Sequence, residues 1–189
     1  MDPAEPIRDE ELIARAQRGD PAAFRELVDR WYARIYRWAV GHVGDFDDAD
    51  DVTQQVLVRL HLGLGRFRGG ARFSTWLYQV TRNAALDIHR RQARRARAME
   101  RMQRLADAPA EAAGPVADVE QREMLDAARA ALARLPGRQR EVFDLVELQG
   151  YEAHEAAGLL GVSAATARTH LFRARRAVRA AMLAINFQA

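Results

Sequence analysis

The sequence predicts an all-α fold of two small helical units joined by a flexible connection, and three observations carry that expectation. Apolar residues recur at spacings of three and four on both sides of the chain's middle, and neither flank shows the alternation of a strand. Residues 106–121, ADAPAEAAGPVADVEQ, hold two prolines, a glycine and almost no large apolar side chain, too little to offset the entropy of ordering them. Charge is also divided: residues 89–104 carry seven arginines against one carboxylate, whereas residues 105–135 carry three against six. The expected boundaries are a first unit over 1–95, a connection over 96–120 and a second unit over 121–189.

The first unit reads as four helices. Leu12, Ile13 and Ala16 mark the first, and Gly19, Asp20 and Pro21 end it and start the next, with Asp20 as N-cap and Pro21 at the first helical position. Phe24, Leu27, Val28, Trp31, Ile35, Trp38 and Ala39 form the stripe of the second. A third is expected from about Asp48 to Leu62, with Val52, Val56 and Leu60 inward and Asp48 and Asp51 at capping-box spacing. The loop LGRFRGGAR interrupts the periodicity with three glycines, and a fourth helix begins near Phe73.

Composition excludes several function classes. The 189 residues carry a formal net charge of +3 and no cysteine, so disulfides and thiolate metal sites are ruled out. No apolar run approaches the roughly 20 residues of a membrane span, and the acidic N-terminus lacks an apolar signal segment. A cytoplasmic protein without membrane insertion is expected. All 29 basic side chains are arginine, so their number alone is weak support for phosphate binding.

Two segments of the first unit carry candidate surfaces. In DFDDADDVTQQ, five aspartates fall within seven positions at the start of the third helix, where carboxylates favour the positive end of the helix dipole. That accounts for one or two acids, not five. A calcium loop of EF-hand type fails, because its sixth and twelfth positions are Asp50 and Val56 rather than Gly and Glu. A third reading is a partner surface: Asp51 and Gln55, four apart and flanked by Gln54, form an acidic and amide ridge turned away from Val52, Val56 and Leu60. The fourth helix, FSTWLYQVTRNAALDIHRR, is expected to turn Phe73, Trp76, Leu77, Val80 and Ala84 inward. Tyr78, Arg82 and His89 then face outward ahead of Arg90 and Arg91, a ring with guanidinium groups suited to a single-stranded nucleic acid. Asp87 is expected to point inward, paired with Asn83 and Arg91.

The second unit has helix-turn-helix layout in EAHEAAGLLGVSAATARTHLF: a short helix, a turn at GVS, and a second helix capped by Ser163. Ala167, Leu171, Ala174, Val178 and Met182 are its inner stripe. Thr166, Thr169, Phe172, Arg173 and Arg176 face outward with Arg168 at the edge, small and hydroxyl groups that can enter a major groove beside arginines that clamp phosphate or read guanine. The Ala-Ala-Gly run before the turn is expected to permit a close helix crossing.

Together these segments resemble the extracytoplasmic-function sigma factors of the sigma-70 family. AQRGDPAAFRELVDRWYARIYRWA is similar to region 2.1, DADDVTQQVLVRLH to region 2.2, and FRGGARFSTWLYQVTRNAALDIHRR to regions 2.3 and 2.4. LARLPGRQREVFDLVELQGY and HEAAGLLGVSAATARTHLFRARRAVR are similar to region 4. The resemblance implies a non-enzymatic protein without catalytic residues, metal or cofactor, whose partners are core RNA polymerase and promoter DNA, double- and single-stranded. Asp50, Asp51, Gln54 and Gln55 would bind the clamp helices of the beta-prime subunit. Phe67, Arg68, Arg72, Tyr78, Arg82, Asn83, His89 and Arg90 would open the duplex and hold the minus-ten strand. Ser163, Thr166, Arg168, Thr169, Arg173 and Arg176 would serve the minus-thirty-five element, and the first helices of region 4 would meet the beta flap. An anti-sigma factor is the further partner such a protein can have, and no added C-terminal sensory domain is expected.

The chain departs from the family pattern at Gln55, where an acid is usual, and at Ala153, Ala156 and Ala167, where larger residues are common. Two rival readings stand beside the resemblance. A LuxR-type regulator fits TARTHL but requires an N-terminal sensor, and a metal-dependent enzyme on the aspartate cluster lacks His or Glu partners at ligand spacing.

Overall fold

The structure is a computed structural model that describes residues 8–103 and 130–186, with side chains described through residue 99 and from 130 to 182. Within those residues it is helical, without strands, and no helix among them is long and apolar enough to cross a membrane. The chain divides into two compact units, Met1–Arg91 and Gln92–Ala189.

In the first unit, α1 spans Asp9–Gln17, α2 Pro21–Val43 and α3 Phe46–Gly63, and α4 begins at Phe73 and ends at Gln103, beyond the unit's boundary. Asp9 ties α1 to α2, accepting from Arg30 at 2.9 Å and from the Trp31 indole at 3.0 Å. The α1–α2 turn forms as its residues dictate. Gly19 takes φ +90°, which a side chain would disfavour. Asp20 caps α2, accepting from the backbone N–H groups of Ala22 and Ala23, and Arg15 grips its other oxygen through two donors at 2.9 and 2.8 Å. That guanidinium, with the capping N–H groups, holds the Asp20 carboxyl below the usual range.

The start of α3 differs from the expected one. Asp45 is the N-cap, accepting from the Asp48 N–H at 3.0 Å, so α3 begins at Phe46 and the Asp48–Asp51 capping box does not form. An oxygen at the N-cap can reach an orphan N–H three residues on, and Gly44 supplies the left-handed residue that stops α2 just before it. The connection expected over 96–120 begins later than its first residue, because α4 stays helical to Gln103 through RRARAMERMQ, a run of strong helix formers. The remainder of that connection, from residue 104, lies outside the described residues.

The core of the first unit joins Leu27, Trp31, Ile35 and Trp38 of α2 to Val52, Val56 and Leu60 of α3 and Leu77, Tyr78, Thr81, Ala84 and Ile88 of α4. Each fully buried large side chain contributes about 1.5–3 kcal/mol. The buried stripe of α4 is therefore turned from the expected one by less than a residue's 100°. Val80 and Trp76 are half-buried, while Thr81 and Ala85 face inward. Helical spacing fixes that a stripe exists; the rings of α2 fix which edge of it is covered.

In the second unit, α5 is described over 130–134. After Pro136, α6 spans Gly137–Phe143 and widens into a π-helical turn over Asp144–Leu148. The helix-turn-helix pair follows as α7, Ala153–Leu160, and α8, Ala164–Asn186. Gly161 turns the chain between them at φ +66°. Val142, Leu145, Ala156, Leu160, Ala167, Leu171 and Ala174 form the core of this unit. Gly158 is exposed, and a Cβ there would touch nothing, so the glycine is not needed for the packing of α7 on α8; the small residues buried in this unit are Ala156, Ala157, Ala167 and Ala174.

Candidate protein and nucleic-acid interfaces

The outer side of α3 is a ridge of acids and amides. Asp50, Asp51 and Gln54 are exposed and Gln55 is half-buried. At about 100° per residue, Asp51, Gln55, Val58 and Leu62 fall in one narrow band, opposite buried Val52, Val56 and Leu60. Val58 and Leu62 are 58% and 73% exposed, so the polar ridge continues as an apolar one that the inward stripe alone did not reveal. Tyr36 of α2 borders the same surface: partial burial pushes its phenol up, and Asp50, Tyr32 and Asp47 push it further. Among the described residues no three His, Asp or Glu side chains come together in a group that could hold a metal ion.

The loop before α4 is anchored at its start and open at its middle. Gln17 of α1 donates to the carbonyls of Leu64 and Phe67 at 2.9 and 2.8 Å. The Phe67 ring lies 5.5 Å from Phe73 and 5.4 Å from Trp76, so it is half-buried in an aromatic cluster. Gly69 takes φ +72°, and Arg68 and Arg72 are exposed on either side of it.

Along α4, Tyr78 overturns the expected outward face. It is 1% exposed, with its ring 5.3 Å from Trp38 and 5.3 Å from His42, and it offers no surface on which a base could stack. Arg82 is half-buried, Asn83, His89 and Arg90 are exposed, and His89 meets the carbonyl of His42 at 3.1 Å. Asp87 also differs. Its partners are Arg59 of α3 at 2.7 Å and Arg90 at 3.3 Å, rather than Asn83 and Arg91. The Arg59 guanidinium holds its carboxyl below the usual range. Arg91 instead donates to Gln55 at 3.3 Å. Both differences follow from the turn of the helix, which brings α3 alongside this face.

On α8 the expected outward set is exposed: Thr166, Arg168, Thr169, Arg173 and Arg176, with Phe172 at 66%. Ser163 caps the helix, accepting from the Thr166 N–H at 3.1 Å, and its hydroxyl meets that of Thr166 at 2.8 Å. The Thr169 hydroxyl donates to the Ala165 carbonyl at 3.0 Å and keeps its acceptor capacity outward. Sequence reasoning gave no role to Arg175, which pairs with Glu147 of the π-helical turn at 2.6 Å. A groove of about 620 Å³ lies beside that pair, lined by Phe143, Phe172, Met182, Arg175 and Arg179.

Known proteins match along both units. Residues 27–95 match sigma-70 region 2, and residues 125–178 match sigma-70 region 4. The ECF RNA polymerase sigma factor SigM of Mycobacterium tuberculosis is 38% identical over 143 residues, 75% of this chain and 68% of its own length. The ECF RNA polymerase sigma-E factor of Haemophilus influenzae is 34% identical over 92 residues, 49% of this chain and 48% of its own length. Among solved structures, CnrH in complex with the cytosolic domain of CnrY superposes with a TM-score of 0.64 at 26% identity, covering 93% of this chain and 97% of that one. The sigma factor RpoE of Bartonella quintana, in complex with the anti-sigma factor NepR, shares the fold at a TM-score of 0.57 and 20% identity, covering 84% of this chain and 96% of that one. With region 2 on one unit and the helix-turn-helix of region 4 on the other, the chain belongs to the extracytoplasmic-function group of the sigma-70 family, subunits that bind core RNA polymerase and direct it to promoters.

Proposed function

We propose a division of labour among the surfaces described above. Asp50, Asp51, Gln54 and Gln55 dock the clamp helices of the polymerase beta-prime subunit. Phe67, Arg68, Arg72, Arg82, Asn83, His89 and Arg90 hold the displaced minus-ten strand, with Tyr78 supporting them from the core. Ser163, Thr166, Arg168, Thr169, Arg173 and Arg176 position and read the minus-thirty-five element in the major groove, while the groove beside Phe143 and Phe172 receives the beta flap. The observation that carries this reading is the segregation of charge in the first unit, acids and amides along α3 and arginines in the loop and at the end of α4.

Two modest DNA contacts on one chain gain affinity only when a scaffold holds both at promoter spacing. The domains are taken as 1–95 and 121–189, joined by a connection whose described first part, through Gln103, continues α4, so that the polymerase supplies the spacing. The protein acts in the cytoplasm and has no chemistry of its own. RpoE of Bartonella quintana is held by an anti-sigma factor, and we extend that mode of restraint to this chain. The test is run-off transcription by purified core polymerase on promoter fragments from the source genome, with and without the chain. Specific transcripts only in its presence support the reading, and promoter binding by the free protein equal to that of the holoenzyme would sink it.

A further inference from the structure

Side-chain links among the described residues join the end of α4 to the ridge of α3. Asp87 bridges Arg59 of α3 and Arg90 of α4 at 2.7 and 3.3 Å, and Arg91 of α4 reaches the Gln55 amide oxygen at 3.3 Å. The first link is the shorter, an ion pair that sets α3 against α4. The second joins an exposed arginine to a neutral amide, so it is weak and easily exchanged. Gln55 thus belongs to two surfaces at once, the ridge that faces protein and the basic helix end that faces nucleic acid.

We propose that Gln55 is a positioning residue for Arg91, and that Arg91 is a phosphate contact for the minus-ten strand that becomes available when polymerase engages Gln55. The proposal rests on the reading that α3 meets polymerase and the end of α4 meets DNA. With its amide oxygen turned to Arg91, Gln55 does not present that oxygen to a helix lying over Asp51. A polymerase donor that captures it turns the amide away and leaves Arg91 to a phosphate. By thermodynamic reciprocity, a strand that captures Arg91 leaves Gln55 to polymerase, and each partner strengthens the other by the same factor. One exposed contact of this kind supports a coupling of about two- to five-fold. An acid at position 55 would hold Arg91 as an ion pair and resist the exchange, whereas glutamine permits it.

The test uses the whole 189-residue chain and a labelled oligothymidylate of about 15 nucleotides, whose backbone probes phosphate binding without sequence. Arg91→Ala should weaken binding and make the salt dependence shallower by about 0.7. Gln55→Ala should strengthen binding about two- to five-fold and Gln55→Glu should weaken it, and both effects should vanish in the Arg91→Ala background. In the absence of DNA, Arg91→Ala should bind core polymerase more tightly by the factor that Gln55→Ala gains on the oligonucleotide. If Arg91→Ala weakens strand binding but the Gln55 variants act equally with and without Arg91, the link is overturned while the DNA reading of α4 stands. If neither Arg91→Ala nor Arg90→Ala changes strand binding, the proposal and that reading fall together.

Discussion

Tyr78 lies edge-on to Trp38, ring centroids 5.3 Å apart and planes at 86°, and this contact moves the most conspicuous aromatic of α4 from the candidate DNA surface into the core. Edge-to-face pairs of this kind contribute about 0.5–1.5 kcal/mol beyond area burial. Tyr78→Phe keeps both ring contacts and should therefore preserve strand binding. Tyr78→Ala should lower stability by about 3–5 kcal/mol. Denaturation followed by tryptophan fluorescence, beside oligonucleotide binding, checks both. A Tyr78→Phe protein that folds normally but loses strand binding would return the ring to the DNA surface.

Charge reversal at Asp51 tests the α3 ridge. Asp51 is exposed and lies on the band that Gln55 and Val58 share, so Asp51→Arg should weaken core polymerase binding at least ten-fold, an effect of about 1.4 kcal/mol or more. Oligonucleotide binding by a 122–189 fragment, which lacks the ridge altogether, gives the reference for DNA binding by the second unit. Equilibrium binding to labelled core separates the two. Unchanged core affinity would remove the ridge from the interface.

For α8 the prediction concerns salt as much as affinity. Arg173→Ala should cost about 1–3 kcal/mol of promoter binding by the holoenzyme, uniformly across sequences and with a shallower salt slope if it grips phosphate, selectively at one base pair if it reads guanine. Arg175→Ala, whose guanidinium is committed to Glu147, should change neither. Titrations at several salt concentrations against a panel of minus-thirty-five variants decide between these outcomes.

A buried acid should make the second unit pH-sensitive. Burial raises the Asp144 carboxyl to about 6, against a Gln149 hydrogen bond that lowers it. The folded state then holds a proton that the unfolded state has released, so stability falls as pH rises from about 4 to about 6 and stays reduced above that, by about 3 kcal/mol. Asp144→Asn should remove this dependence. It also offers a donor to the Gln149 amide oxygen, which is buried without a partner. Hydrogen exchange of α6 amides in the full chain between pH 4 and 8 should show the wild-type slope and its loss in the variant.

The helices, their turns and the helix-turn-helix were legible because each rests on local chemistry. Asp20 beside Pro21, Gly161 after an apolar run and Ser163 before Ala164 fix ends and caps whatever the rest of the chain does. The outward set on α8 was legible for the same reason, since that helix covers one side only. The α4 surface was not. Tyrosine is apolar over most of its area and polar at its tip, so spacing alone leaves it equally fit for the core or for a base. Asp87 was likewise assigned to neighbours on its own helix, because a partner such as Arg59, 28 residues earlier, has no periodic signature.

The sequence by itself determined the helical content, the family and the arginine-rich and carboxylate-rich segments, since propensity, capping and composition act over a few residues. Only the tertiary structure decided which edge of α4 is covered, that Asp45 rather than Asp48 starts α3, and that Gln55 reaches Arg91. Those outcomes depend on how rings and helices from distant parts of the chain fill one another's space, and a rotation of less than one residue's turn, invisible to periodicity, is enough to exchange a buried tyrosine for an exposed one.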